Sequence, residues 1–208
     1  ATPWHGLEAV LNIWNVCLGI AVFFLARVLA ILYFMNNIDD ESIRSQSWNR
    51  LLPESIAFLL FFLAFLAHWL IADGFAVNPD TQEIFMQPYK YALNLLEMPY
   101  VTGILLVGVI LVLWGIGKTY LKPSYREGIW FSGTGTVLTV LALLLCAGWN
   151  HTAYYPSITD LQSSLTLQNS CSSPFTLKVM SYVSILIPFV LAYIFYAWRA
   201  IDLKPGKK

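Results

Sequence analysis

Charge is what this sequence has least of. Only 12% of its 208 residues are Asp, Glu, Lys or Arg, whereas soluble domains carry about 25%. The 12 basic and 12 acidic side chains cancel, which leaves neither a basic surface for nucleic acid nor an acidic solvating tail. Cysteine is equally sparse. Cys17, Cys146 and Cys171 form no CxxC pair and no zinc-type spacing, and two of them lie in or beside apolar runs, so they read as packing residues. No HExxH or CxxCH motif surrounds His5, His68 or His151, and no two of these stand one helical turn apart. A phosphate loop, a nucleophile beside a base and a carboxylate dyad are all missing too. No catalytic residue and no metal ligand set follows from the residues themselves.

What is abundant is apolar surface, at 58% of the chain. A helix needs about 20 mostly apolar residues to cross the hydrocarbon core, because each backbone N–H and C=O must find its partner inside the segment. Five stretches meet that test, at residues 10–34, 55–72, 101–117, 129–149 and 175–198. Short connectors follow the first (NNIDDESIRSQSWNR) and third (KTYLKPSYREG), and RAIDLKPGKK closes the chain. The connectors at 73–99 and 150–174 are longer and richer in Asn, Gln, Thr, Ser and Tyr. The expected fold is therefore all-α: a polytopic membrane protein of about five transmembrane helices.

Lys and Arg set the orientation, since cytoplasmic loops retain positive charge. Arg44, Arg50, Lys118, Lys122, Arg126, Arg199, Lys204, Lys207 and Lys208 fall in the short connectors and tail, against Lys90 and Lys178 in or beside the long loops. The expectation is an N-terminus outside, a C-terminus in the cytoplasm and the long loops outside. Trp4, Trp48, Trp69, Trp149, Tyr154, Tyr155 and Trp198 sit near span ends, as an aromatic belt requires. The opening ATPWHGLEA has no initiator Met, basic n-region or cleavage site, so it does not read as a signal peptide. With an odd number of spans, it reads as a fragment whose earlier helices are missing.

Polar groups inside a span are functional candidates because burying them in lipid is costly. Arg27 lies about two turns from the cytoplasmic end of the first span; it can snorkel, pair with a carboxylate of another helix, or take part in proton or quinone handling. The three histidines map to outer span ends, where interfacial hydrogen bonding accounts for them better than a shared haem or metal site. Glu8, Asp73 and Glu97 sit near the same outer face. In FSGTGTVLT, Ser132 with Thr136 and Gly135 with Thr139 fall one turn apart, a pattern for close helix packing. Pro188 should kink the last span near Ser184.

Two stretches carry a family resemblance. TPWHGLEAVLNIWNVCLGIAVFFLARVLAILYFMNNIDDE resembles the fourth helix and lead-in of subunit II of cytochrome bd-type quinol oxidases, including the cyanide-insensitive branch. SSLTLQNSCSSPFTLKVMSYVSILIPFVLAYIFYAWR resembles that family's last outer loop and eighth helix. The resemblance implies the C-terminal portion of an eight-helix subunit. Residues 1–50 would be the family's helix four with its lead-in and connector, the one helix of a first bundle. Residues 51–208 would form the four-helix bundle of helices five to eight, with a cytoplasmic tail. It also implies a bacterial inner-membrane complex that oxidises quinol, reduces dioxygen to water and adds to the proton gradient. Haems b558, b595 and d would belong to a partner, subunit I, and none to this chain; a bound quinone stays open. Membrane lipid and the quinone pool are the other implied partners. Arg27, Glu8, His68 and Glu97 are the polar positions that remain as candidates. A small polytopic transporter or membrane scaffold unrelated to respiration is the competing reading.

Overall fold

The computed structural model describes residues 10–157 and 159–202. Its helices are α1 (Ile13–Asn37), α2 (Glu41–Ile71), α3 (Lys90–Glu97), α4 (Pro99–Leu121), α5 (Gly128–Gly148) and α6 (Pro174–Asp202), with a two-stranded sheet of β1 (Gly74–Val77) and β2 (Ile84–Gln87) between α2 and α3. Five of these helices, α1, α2, α4, α5 and α6, are long and apolar enough to cross a membrane. The protein is thus an all-α polytopic membrane protein. It divides into two compact units, Ala1–Leu167 and Gln168–Lys208.

In the first unit, antiparallel helices pack in pairs: α1 along α2, and α4 along α5, with α1 also touching α5. The first pair joins through large side chains, with Val28, Leu32, Met35, Leu51 and Phe58 in one buried cluster that Val112 and Ile116 of α4 complete. The second pair closes through small ones. A Cβ at Gly108 would stand 2.6 Å from Thr139 Oγ1 and 2.7 Å from Thr139 N, and one at Gly135 would stand 2.7 Å from Val112 N. Glycine is therefore required at both positions, because the backbones approach too closely for any side chain. Ser132, fully buried, donates from Oγ to Val112 O at 3.2 Å across the same seam. Thr119 and Thr139 return their hydroxyl protons to Gly115 O and Gly135 O on their own helices, at 2.7 and 2.8 Å. The seam hides its polar atoms without charge.

The connector after α1 differs from its sequence expectation. Only residues 38–40 leave the helix, and α2 begins fourteen residues before the apolar run at Ser55. Asp40 caps it, accepting from Ile43 N at 3.0 Å, and Glu41 places negative charge in the first turn; both favour a helix start. The polar half-helix is then tied to the α4–α5 connector. Trp48 Nε1 donates to Tyr120 O at 3.1 Å and its ring stacks on Tyr120; Arg44 donates to Pro123 O at 3.1 Å; Arg126 pairs with Asp39 at 2.7 Å. The helix passes through Pro53.

The two long connectors also hold more structure than loops. The β1–β2 hairpin pairs from Gly74↔Gln87 to Val77↔Ile84, around a turn in which Asn78 Oδ1 accepts from Asp80 N at 2.9 Å. Residues 151–153 add to the free edge of β1 through Val77 N to His151 O (2.8 Å) and Ala153 N to Phe75 O (2.9 Å). Gln162 then brackets Ile84, accepting from its N–H at 3.0 Å and donating to its carbonyl at 2.8 Å. Val77, Ile84 and Ala153 form a small apolar core beneath.

The second unit is built on α6. Its serines cause no unmet polarity, since Ser181 and Ser184 donate to Leu177 O and Met180 O, each at 2.8 Å. Helical backbone continues through Pro188, whose missing N–H leaves the Ser184 carbonyl without its usual partner.

The glycine seam generates a test. Gly108→Val should destabilise the protein by about 1–3 kcal/mol through overpacking, lowering the thermal midpoint in detergent. Gly117→Ala, whose added methyl would meet nothing within 4 Å beyond the helix's own adjacent backbone, should leave the midpoint unchanged or slightly raised. Equal effects of the two would remove the seam from the account.

Candidate functional site

Two polar centres stand out in the first unit, one within the helix bundle and one at the end that carries the hairpin. The inner centre is an ion pair. Arg27 of α1 presents the side of its guanidinium to Glu54 of α2, with Nε donating to Oε2 at 2.8 Å and an Nη donating to Oε1. Glu54 is almost entirely buried, with 8% of its side chain exposed, whereas 44% of the Arg27 side chain remains accessible. The guanidinium also lies 5.7 Å from the Phe23 ring. Two parallel charge-assisted bonds are the strongest way to hold a carboxylate in an apolar bundle. Arg serves better than Lys because it stays charged and its fork matches both oxygens. Glu54 escaped the sequence reading because it lies beside Pro53 in what looked like the boundary of a span. No pattern in the sequence links Glu54 to Arg27, 27 residues away.

The outer centre is built around Asn94, which is fully buried on α3. Its amide donates to Cys146 O and to Thr152 Oγ1, both at 2.9 Å, and its carbonyl oxygen accepts from Asn150 Nδ2 at 3.0 Å. Asn150 also donates to Glu97, and its backbone carbonyl accepts from Lys90 Nζ at 3.1 Å and from Thr152 Oγ1 at 3.1 Å. Asn150 and His151 both take left-handed φ, 57° and 52°, a conformation that non-glycine residues hold only when their surroundings impose it. Here the Asn150 side-chain nitrogen is held by two acceptors, Asn94 and Glu97. Lys90 is buried, and desolvation lowers its pKa from 10.5 against the opposing pull of Glu97. Burial likewise raises the Tyr91 phenol, whose ring stacks on Trp69 at 4.5 Å.

The sequence candidates are distributed across these features. Arg27 forms the inner pair, Glu97 rims the outer centre and is itself exposed, and His68 stacks face to face on Trp14 at 3.9 Å. Glu8 and His5 lie outside the described residues. His151 is exposed and gives only its carbonyl to β1. Among the described residues, no three His, Cys, Asp or Glu side chains converge.

Between the two helix pairs runs an apolar crevice of about 100 Å³, lined by residues such as Leu18, Val22, Phe62, Val109 and Leu143. The hydroxyls that reach it, Thr136 and Thr139, already donate to Ser132 O and Gly135 O at 2.8 Å. A long hydrocarbon chain suits such a wall; a polar ring does not.

Comparison with known proteins gives a consistent result. The family model for cytochrome bd terminal oxidase subunit II matches residues 2–201. The protein named cytochrome bd-I ubiquinol oxidase subunit 2 from Escherichia coli strain K12 is 30% identical over 120 residues, which cover 57% of this chain and 30% of the relative. The proteins of that name from strains CFT073 and O157:H7 match to the same extent.

Two measurements check the centres. Arg27→Leu should lower the thermal midpoint more than the double change Arg27→Leu/Glu54→Leu, because the single change strands a buried carboxylate; the reverse order would show that the pair is not what burial of Glu54 depends on. At the outer centre, a lowered Lys90 pKa means the unfolded state binds more protons between that lowered value and 10.5. Stability from this site therefore rises with pH across that window. Lys90→Met should flatten the rise relative to wild type in pH-dependent thermal melts.

Proposed function

From the membership of this chain in the cytochrome bd terminal oxidase subunit II family, we propose that it is a membrane subunit, without haem of its own, of a respiratory oxidase that oxidises quinol and reduces dioxygen to water. The match over residues 2–201 carries this reading. The curated relatives are named as subunits of a ubiquinol oxidase, so the chemistry is proposed for the complex and not for these residues alone. Quinol protons would leave on the outer side while protons for water enter from the cytoplasm, which adds to the gradient.

Haems b558, b595 and d are assigned to the partner, subunit I. His68 and His151 supply no converging ligand pair for such a group: the one is packed flat on Trp14, the other only lends its carbonyl to a strand. The role left to this chain is mechanical and dielectric. It provides an apolar wall, an inner charge pair that resists separation, and an outer cap. A quinone would find in the crevice a path for its isoprenoid tail but no free donor for its carbonyls. In helix count, α1 corresponds to the end of the family's first bundle, and α2, α4, α5 and α6 to the second.

The location follows as a bacterial inner membrane, with Arg44, Lys118, Lys122 and Arg126 on the cytoplasmic side and the β1–β2 hairpin outside. Cysteine substitution in a Cys171→Ser background, which removes the native exposed thiol, checks it: Asp80→Cys should react with a membrane-impermeant maleimide in intact spheroplasts, and Ser124→Cys only after lysis. The function itself is checked by colour. Purified from its native membrane with its partners, the protein should bring a haem-bearing subunit with red-region d-type absorption and quinol oxidase turnover. A colourless, partner-free preparation stabilised by a transported solute would falsify the oxidase reading in favour of a transporter.

A further inference from the structure

Beside the Arg27–Glu54 pair opens a second cleft, of about 490 Å³, between the end of α1 and the polar half of α2. We propose that it binds the phosphate headgroup of an anionic phospholipid. Four polar side chains line it, Arg27, Gln46, Ser47 and Arg50, together with apolar ones that include Ile31 and Phe34. Gln46, Ser47 and Arg50 have no side-chain hydrogen bond or ion pair to any described residue. Arg27 spends its Nε and one Nη on Glu54, which leaves its remaining Nη edge for a ligand. With Glu54 cancelling one of the two guanidinium charges, the cleft carries one net positive charge opposite a row of unused donors.

Depth in the membrane decides the ligand class. Because α1 and α2 run antiparallel with Arg27 opposite Glu54, Arg50 stands one turn farther from the bilayer centre than the pair. The apolar run of α2 starts at Ser55, just past Glu54, and only Leu51, Leu52 and Pro53 separate Glu54 from Arg50, so Arg50 stands one turn outside the edge of the hydrocarbon. That is the level of lipid phosphates, and basic pockets between transmembrane helices at this level are where anionic headgroups are held. A guanidinium fork matches phosphate oxygens in pairs. Ile31, one turn past Arg27 and so level with Arg50, gives the cleft an apolar wall beside the phosphate, which favours a lipid over a free ion, since apolar walls gain only from an apolar neighbour. Below the phosphate, the exposed Phe23 ring next to Arg27 continues the wall for an acyl chain. Which leaflet supplies the lipid rests on the orientation proposed above; the maleimide experiment tests that separately, and its reversal would move the lipid to the other leaflet without removing it.

The test is native mass spectrometry of the full-length subunit in its complex, delipidated in detergent and re-exposed to phosphatidylcholine vesicles with or without phosphatidylglycerol. Wild type should retain phosphatidylglycerol in preference to phosphatidylcholine. R50Q should reduce that retention about fivefold, the effect of one interfacial basic residue, and R50K, which keeps the charge without the fork, should lie between. R126Q, which changes a cation outside the cleft, should retain lipid as wild type does. Equal retention by R50Q and wild type would overturn the proposal. So would equal retention of the two lipids, or displacement of the lipid by inorganic phosphate alone. Loss of the partner subunit in R50Q with lipid retention intact would overturn it as well, by giving the cleft to a protein contact.

Discussion

Lipid offers no hydrogen bond, and every feature of this protein answers that constraint. Backbone groups must be satisfied within each segment, so five long helices form first as a matter of solvation. Only then does packing discriminate between them. Hydrocarbon side chains gain little by leaving lipid for one another, so the helices associate through fit and through polar groups that cannot stay exposed. The two helix pairs use these two means separately. The α4–α5 seam draws glycine backbones together and keeps hydroxyls on their own helices, while α1 and α2 are tied across the bundle by a guanidinium and a carboxylate. The seam is short-ranged and intolerant of volume. The ion pair is intolerant of losing one member, because what it strands is a nearly buried Glu54.

Polarity increases toward both ends of the helices and takes different forms there. At the basic end, charged and aromatic side chains clasp backbone carbonyls, as Arg44 does to Pro123 and Trp48 to Tyr120. The opposite end is organised around the buried amide of Asn94, which together with Glu97 and Lys90 at its rim fixes Asn150 in a left-handed turn. A buried amide with every bond made orders a structure without needing a counter-charge. This difference suits a bilayer whose two faces differ in potential and in the lipids they present.

The spans were legible in the sequence because hydropathy reports what the bilayer selects, and the small-residue pattern around Ser132 and Gly135 was legible because helical spacing alone brings it to one face. The polar half of α2 was not. Its residues satisfy no hydropathy test, and its start is written in Asp40 and Glu41, which act through capping and the helix dipole. Glu54 was hidden for a related reason: an acidic residue after a proline at the edge of an apolar run looks like a boundary until Arg27 is seen opposite it. The outer cap was illegible at its joints, since Gln162 and Ile84 are 78 residues apart and nothing in either segment names the other. Arg27 could be flagged from depth alone, but its partner could come only from three dimensions.

That separation along the chain has a consequence for biogenesis. As the ribosome delivers the chain, the β1–β2 hairpin emerges with one side of its ladder bare, and the strand that covers it is not synthesised until α4 and α5 have been threaded. The Gln162 clip arrives later still. Closure of the outer cap therefore records that both intervening helices have been inserted in the right sense, and an inverted or skipped helix would leave the hairpin open to the proteases that police unassembled membrane proteins.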